Sequence, residues 1–192
     1  MTEDDQAALM QAFIRGDEAA YVTLYRAYRD RIVGYCTRLL GDQARGEEAA
    51  QDVFIKLYRA RSTYAERGQF GTFLYRIATN HCFNLRAQLD QRLVERRKEL
   101  DENAHAALHD PAAQLASSEL RAALQSALAD LPDKQRAAFV LVHDHGLGYR
   151  EAASALTVTE SALKSLIHRA RETMMRRLGR YLSEPSEVDH AV

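Results

Sequence analysis

The stretch from Tyr149 to Arg177 constrains the fold more than any other part of the chain. Its sequence is YREAASALTVTESALKSLIHRARETMMRR. Small and apolar residues recur at helical spacing as far as Leu156, and the LTVT run then interrupts the pattern. Thr159 can cap a second helix, because its hydroxyl can accept from free backbone N–H groups two or three residues on. Apolar residues at 163, 166, 167, 170 and 174 give this second helix one buried face.

The opposite face of the second helix is basic and rich in hydrogen-bonding groups. It carries Lys164, Ser165, His168, Arg169 and Arg171. A short helix, a tight turn and a helix with such an outer face are typical of a helix-turn-helix, whose second helix enters the major groove of DNA. Solvated basic faces also occur on helices that never touch nucleic acid, so this stretch alone leaves both interpretations open. Thr157 stands where the turn commonly has a glycine.

Composition and length limit the class of protein. At 192 residues, with 28% charged and 46% hydrophobic residues, the chain can form one domain or two small ones in a soluble protein. No apolar run approaches the roughly 20 residues that span a bilayer, and the acidic start MTEDDQ lacks the basic end of a secretory signal. We therefore expect a cytoplasmic protein without membrane insertion. Cys36 and Cys82 are interpreted as buried free thiols, with a disulfide between them as the alternative.

Charge is distributed unevenly, although the formal net charge is only -1. Six basic residues against two acidic ones give residues 158–180 a local charge of +4. Acidic residues concentrate at 3–5 and 47–52 instead. This polarity is typical of a protein that meets both DNA and a protein partner.

Apolar periodicity predicts helices over about residues 6–41, with a break at Gly16, over 45–61 and over 72–89. In the helix predicted over 45–61, Gln51 and Asp52 form a polar patch beside the apolar side. In the helix predicted over 72–89, the side chains expected to point outward are Arg76, Asn80, His81, Asn84 and Arg86. Residues 62–72 break the periodicity, and their aromatic side chains, Tyr64 and Phe70, could hold unstacked bases.

The second half of the chain is separated from the first by a charged, alanine-rich segment. We predict an all-α protein with one helical domain over residues 1–90, a flexible linker over 91–117 and a second helical domain over 118–182. We expect residues 183–192 to form a polar, disordered tail. Pro132 is placed in the first turn of a helix, where its missing N–H does no harm.

The sequence lacks the motifs that are typical of catalytic and metal sites. His143 and His145 have no cysteine nearby in sequence, so they do not make a structural zinc site. No phosphate loop, nucleophile elbow or paired-carboxylate site occurs. We therefore expect no enzyme activity, no metal, no cofactor and no small-molecule substrate.

Three segments, in the expected order, resemble the extracytoplasmic-function sigma factors, the smallest class of the bacterial sigma-seventy family. EEAAQDVF at 47–54 is similar to the family's acid-acid-x-x-Gln-acid-x-Phe motif, and FLYRIATN at 73–80 to its Trp-Leu-Tyr-x-Ile-Ala-x-Asn motif. Leu131-Pro132 together with residues 149–171 resembles the family's region 4. The departures are Phe73 for tryptophan, Ala152 for the common isoleucine, and Thr157. These bear on promoter preference rather than on family membership.

The resemblance implies a promoter-specificity subunit of RNA polymerase. Region 2 would dock on the clamp helices of the largest polymerase subunit and capture a base flipped out of the promoter −10 element. Region 4 would bind the −35 duplex and the polymerase flap. An anti-sigma protein commonly masks both surfaces in this family, and a flexible linker lets the two domains close around it.

The resemblance also assigns roles to individual positions. The docking residues are Glu48, Gln51, Asp52 and Phe54; the −10 residues are Tyr64, Arg67, Phe70, Arg76, Asn80 and Asn84; and the −35 residues are Lys164, Ser165, His168, Arg169 and Arg171. Two alternatives remain: a conventional helix-turn-helix regulator, which would bind duplex DNA tightly by itself, and an all-helical interaction protein without a DNA function.

Overall fold

The computed structural model describes residues 1–61, 64, 69–99 and 117–182. Its regular elements are α-helices, which confirms the predicted all-α class. Among the described residues, no helix is both long enough and apolar enough to cross a bilayer. The helices are α1 (Glu3–Ile14), α2 (Glu18–Leu40), α3 (Gln43–Arg59), α4 (Phe70–Glu99), α5 (Ser117–Ala129), α6 (Asp133–His143), α7 (Tyr149–Leu156) and α8 (Glu160–Leu182).

Helices α1 to α4 form the N-terminal unit, and side-chain caps fix where its helices begin. Asp17 starts α2 by accepting from the backbone N–H of Ala19 at 2.9 Å, and Asp42 starts α3 by accepting from that of Arg45 at 2.8 Å. Gly41 ends α2 in the left-handed conformation, with φ of 75°, which glycine adopts without strain. The core contains Leu24, Ile32, Tyr35, Leu39, Val53, Leu57, Leu74 and Ala78.

The two cysteines lie in this core. Cys36 of α2 and Cys82 of α4 are both free and buried, in agreement with the interpretation from sequence. A hydrogen bond with Cys82 raises the pKa of the Cys36 thiol, and burial adds to the effect. The Cys36 thiol is therefore kept protonated inside the bundle.

Helix α4 is longer than the predicted 72–89. It begins at Phe70 and continues to Glu99, because residues 91–99 (QRLVERRKE) are mostly good helix formers without glycine or proline. The predicted linker therefore starts later than residue 91. The rest of that linker, 100–116, and the predicted tail, 183–192, lie outside the described residues.

Helices α5 to α8 form the C-terminal unit, in which the predicted helix-turn-helix is present as α7 and α8. Thr157 ends α7 in the left-handed conformation, with φ of 54°. Thr159 caps α8, since its hydroxyl accepts from the N–H of Ala162 at 3.1 Å. Pro132 is the N-cap of α6 rather than a residue of its first turn, which places its ring one position earlier than predicted.

Arg136 organises the other end of the C-terminal unit. Its side chain is almost completely buried, with 1% of its surface exposed. The guanidinium donates to the carbonyl oxygens of Leu128, Ala129 and Leu131 at 2.6–2.8 Å. Two of these carbonyls belong to the last turn of α5 and the third follows it, so the buried charge lies at the negative end of a helix dipole.

The two units pack directly against each other. Helix α7 lies on α4, and α5 and α6 lie against the C-terminal half of α2. The segment between α6 and α7 places His145 against the Tyr35–Tyr75 ring pair, with its ring centroid 5.5 Å from that of Tyr35 and 5.3 Å from that of Tyr75. The structure is thus a closed arrangement of two small helical bundles.

Candidate nucleic-acid interface

Helix α8 separates a buried face from a basic exposed one, as its sequence predicts. Leu163, Ile167, Ala170 and Met174 are each at most 5% exposed. The five predicted DNA-binding side chains, Lys164, Ser165, His168, Arg169 and Arg171, all lie on the exposed face. The packing of the apolar face therefore fixes how the basic face is presented.

The basic face of α8 is only lightly engaged by the protein itself. Within the part of the chain that the structure describes, Lys164 and Arg169 make no hydrogen bond or ion pair. His168 contacts Glu172 one turn later at 3.5 Å. Arg171 Nη2 lies 3.2 Å from His143 Nε2. Burial lowers the pKa of His143, and the positive charge of Arg171 lowers it further. The free cations are available to an anionic partner.

A second polar surface lies on α4. Arg76, Asn80 and Asn84 follow one another at intervals of one turn, and both asparagines are exposed. Arg76 is half-buried, because its Nη2 donates to Ser154 Oγ in the C-terminal unit at 3.1 Å. Tyr64, also half-buried, packs edge-on to Phe73, with ring centroids 5.0 Å apart. The structure thus brings four of the predicted −10 residues to one side of α4.

Two expectations about this surface are wrong. Phe70 is 2% exposed and packs edge-on to Tyr28 at 5.2 Å, because it starts α4 instead of lying in the loop. His81, assigned to the outward side, is 7% exposed because it points at α3. Arg67 lies outside the described residues.

The predicted docking residues on α3 divide between surface and core. Glu48 and Gln51 are exposed, and the side chain of Asp52 is 50% exposed. Phe54 is instead a core residue. Only 3% of it is exposed, and its ring packs edge-on to Tyr25 at 4.8 Å.

Ile55 is a surface residue that the sequence interpretation missed. It is 47% exposed and lies one turn after Gln51 and two turns after Glu48, hence on the same side of α3. The missed signal was its position, since an apolar residue at this spacing falls outside the inward stripe of Val53, Phe54 and Leu57. An apolar side chain among polar ones suits a protein partner.

His81 fixes the edge of this docking surface. Its Nε2 lies 3.1 Å from Asp52 Oδ2, in a contact that is not aligned as a hydrogen bond. Its Nδ1 contacts the Lys56 ammonium. Burial and Lys56 lower the pKa of His81, against the opposing effect of Asp52, so the ring is neutral at neutral pH.

Comparison with known proteins agrees with this layout. The family model for Sigma-70 region 2 matches residues 24–92, and that for Sigma-70 region 4 matches residues 121–174. The ECF RNA polymerase sigma factor SigE of Mycolicibacterium smegmatis is 33% identical over 90% of this chain and 68% of its own length. The chain belongs to the ECF sigma factors. RNA polymerase sigma-H factor of Pseudomonas aeruginosa is 29% identical over 96% of this chain and 99% of its own.

Solved structures share the fold of this sigma factor. CnrH, in complex with the cytosolic domain of CnrY, is similar with a TM-score of 0.70 and 20% identity, covering 92% of this chain and 99% of CnrH. The sigma factor RpoE of Bartonella quintana, in complex with the anti-sigma factor NepR, gives 0.64 and 21%, covering 83% and 96%. A sigma factor directs core RNA polymerase to promoters and starts transcription; it is an initiation factor, not an enzyme.

Proposed function

We propose that α8 binds the −35 element through Lys164, Ser165, His168, Arg169 and Arg171. The observation that carries this assignment is the pair of exposed, unpaired cations, Lys164 and Arg169, on a helix whose other face is locked in the core. Lysine and arginine can donate to guanine in the major groove, and such contacts give about 1–3 kcal/mol of discrimination each. Arg171, held near His143, lies toward the end of this surface and suits a phosphate.

The N-terminal unit captures the melted −10 strand in this proposal. Asn80 and Asn84 offer amide donors and acceptors one turn apart, and Arg76 and Tyr64 flank them. Extruding a base costs a few kcal/mol of stacking, so a preformed surface on a rigid helix is needed to hold it. Phe70 supports this surface from inside the core, and Arg67, outside the described residues, stays a predicted contact to the same strand.

The polymerase clamp meets α3 in this proposal. Glu48, Gln51 and Asp52 supply polar contacts, and Ile55 adds an apolar contact among them. Phe54 contributes only by fixing the angle of α3 against α2, since its carbonyl accepts from the Tyr21 hydroxyl at 3.2 Å and its ring is buried. The flap of the same polymerase would bind the C-terminal unit. Because bacterial transcription takes place in the cytoplasm, the complex is located there in this proposal.

The closed arrangement requires a change before promoter binding. Helix α7 lies on α4, and Arg76 is engaged by Ser154, so the −10 surface is partly covered. The two units must separate for each to reach its own promoter element. Two proteins of the same fold were solved in complexes, one of them with a named anti-sigma factor. We therefore include an anti-sigma partner that controls this separation.

Transcription with reconstituted polymerase tests the −35 assignment. Lys164→Ala with Arg169→Ala should lower transcription from the protein's own promoter at least tenfold, which corresponds to one or two good base contacts, without lowering affinity for core polymerase. Lys134→Ala with Arg15→Ala removes the same charges from exposed positions on α6 and next to α1, and should have little effect. Unchanged promoter use by the first variant would contradict the assignment.

Binding of core polymerase tests the docking face separately. Gln51→Ala with Asp52→Ala should weaken the complex, and adding Ile55→Ser should weaken it further. Gln125→Ala with Asp4→Ala makes the same change of residue types at exposed positions on α5 and α1. If the α3 variants keep full affinity for core polymerase, docking takes place elsewhere.

A further inference from the structure

Helix α1 packs on α2 and contacts the start of α4. It belongs to residues 1–23, which precede the part of the chain that the Sigma-70 region 2 model matches. Met10 and Phe13 have no exposed surface, so α1 is anchored in the core of the N-terminal unit. Gln6 and Glu3, one and two turns before Met10, continue the same face toward the beginning of the helix.

Gln6 bonds to Tyr28 of α2, and Tyr28 packs against the first turn of α4. The Tyr28 hydroxyl donates to Gln6 Oε1 at 2.6 Å. Burial raises the pKa of Tyr28 above its ordinary value, so the hydroxyl keeps its proton and donates this bond. The Tyr28 ring packs edge-on to Phe70, with ring centroids 5.2 Å apart. A Cβ on Gly71 would lie 3.0 Å from the Tyr28 hydroxyl oxygen, so the lack of a side chain there lets α4 approach this oxygen.

A second contact joins the start of α1 to the residue that precedes α4. Glu3 Oε1 accepts from the side chain of Gln69, and the Gln69 carbonyl accepts from the backbone N–H of Phe73 at 3.2 Å. The position of Glu3 is itself fixed, because Thr2 and Asp5 cap α1 reciprocally, with hydrogen bonds of 2.8 and 3.2 Å. The first turn of α1 therefore holds the residue from which α4 starts.

We infer that Gln6 and Tyr28 are positioning residues for −10 recognition, because they fix where α4 begins. This rests on the proposed capture of the −10 strand by α4 and extends it to α1. Phe73, in the first turn of α4, supports the ring of Tyr64 at 5.0 Å. A shift of this turn would move Tyr64 relative to Asn80, which lies two turns further along the helix.

The positioning role follows from what a captured base requires. A base extruded from the stack is held only by the side chains around it, and the energy of unstacking must be recovered there. Such side chains need support from packing and hydrogen bonds behind them. Gln6 and Tyr28 give this support from the side of α4 that faces the core, and neither of them has to touch DNA.

Promoter opening by reconstituted polymerase on the protein's own promoter tests this role. Opening is measured by the reactivity of unpaired thymines toward permanganate. Tyr28→Phe removes the hydroxyl and keeps the ring on Phe70, and Gln6→Met removes the acceptor and keeps the length of the side chain. Each should reduce the extent of opening about two- to tenfold, the effect of one hydrogen bond of ordinary net strength. Affinity for core polymerase and for the −35 duplex should not change.

Three further variants separate positioning from a general loss of stability. Gln6→Glu keeps an acceptor for the Tyr28 hydroxyl and should open the promoter normally. Tyr35→Phe removes another hydroxyl from α2, one that shares a hydrogen bond of 2.7 Å with Thr79 in the core, and should also open it normally. Gln6→Met combined with Tyr28→Phe should open it no less than the weaker of the two single variants, because both changes break the same bond.

Normal opening by Tyr28→Phe or by Gln6→Met would overturn the inference. Additive losses in the combined variant, or an equal loss in Tyr35→Phe, would overturn it too. Asn80→Ala with Asn84→Ala tests −10 capture itself. Reduced opening by the asparagine variant with normal opening by Tyr28→Phe would refute the positioning role alone, whereas normal opening by the asparagine variant would refute −10 capture by α4.

Discussion

Acidification should open the two units of this sigma factor, because His145 is held uncharged between them. Its ring packs against the rings of both Tyr35 and Tyr75, and burial lowers its pKa to about 4. The charged groups around it act in opposite directions: Asp144 raises the pKa, whereas Arg31 and Arg38 lower it. The net effect is that the closed arrangement favours the neutral ring.

The sign and size of the effect follow from linkage. His145 returns to its ordinary pKa of about 6.5 once the units separate and water reaches it. A shift from about 6.5 to about 4 corresponds to about 2–3 kcal/mol in favour of closure, after allowance for the partial exposure of the ring. Because the pKa is depressed in the closed state, this contribution is complete above pH 6.5 and is lost as the pH falls toward 4.

Energy transfer between fluorophores on residues 26 and 172, one on each unit, measures the effect. Both positions are exposed and both native cysteines are buried, so introduced cysteines can be labelled selectively. The distance should increase between pH 6.5 and 4.5. His145→Gln should remove that increase, whereas His168→Gln, at an exposed position, should not. If His145→Gln opens with the same pH profile as the unmodified chain, the reasoning is wrong.

Three further predictions concern stability, measured by thermal or denaturant unfolding. Arg136→Leu should destabilise the chain by about 3 kcal/mol or more, because it leaves buried carbonyls unpaired; a smaller loss than for an exposed arginine would contradict the capping role. Thr157→Gly should stabilise it by about 1 kcal/mol, since the left-handed conformation strains a threonine; a lower midpoint would refute this. Gly46→Ala should destabilise it by about 1–3 kcal/mol, because a Cβ there would lie 2.7 Å from Thr37 Cα; unchanged stability would show that the helices shift freely.

The helices were predictable because local signals specify them. The Thr159 cap and the break at Gly16 mark helix ends that the structure confirms, and the apolar residues of α8 recur with a strict helical period. The basic face of α8 follows from the same period. The end of α4 was not predictable in this way, since charged residues near position 91 suit both a solvated helix and a linker.

The errors within the predicted sites have physical causes. Periodicity alone placed Phe54 on the inward side of α3, and only the resemblance to a motif put it among docking residues; the structure agrees with the periodicity. Phe70 and His81 were assigned outward because their burial depends on partners far away in sequence, Tyr28 for the first and Asp52 and Lys56 for the second.

The closed arrangement could not be derived from sequence patterns. Its contacts join residues as far apart as Arg31 and His145, and they are made by polar side chains, which are indistinguishable from solvated ones in a single sequence. His145 illustrates the difficulty. In the sequence, its closeness to His143 indicated only a possible metal site, whereas its role depends on two tyrosines on other helices.

Site-specific photo-crosslinking within one promoter complex would show whether α8 contacts the −35 duplex while α3 contacts the polymerase. A photoreactive residue in place of His168 on α8, and another in place of Gln51 on α3, are compared in complexes with core polymerase on the protein's own promoter. Residue 168 should crosslink to duplex DNA at the −35 element, and residue 51 to the largest polymerase subunit. Crosslinks from residue 168 to protein only, or from residue 51 to DNA, would contradict these assignments.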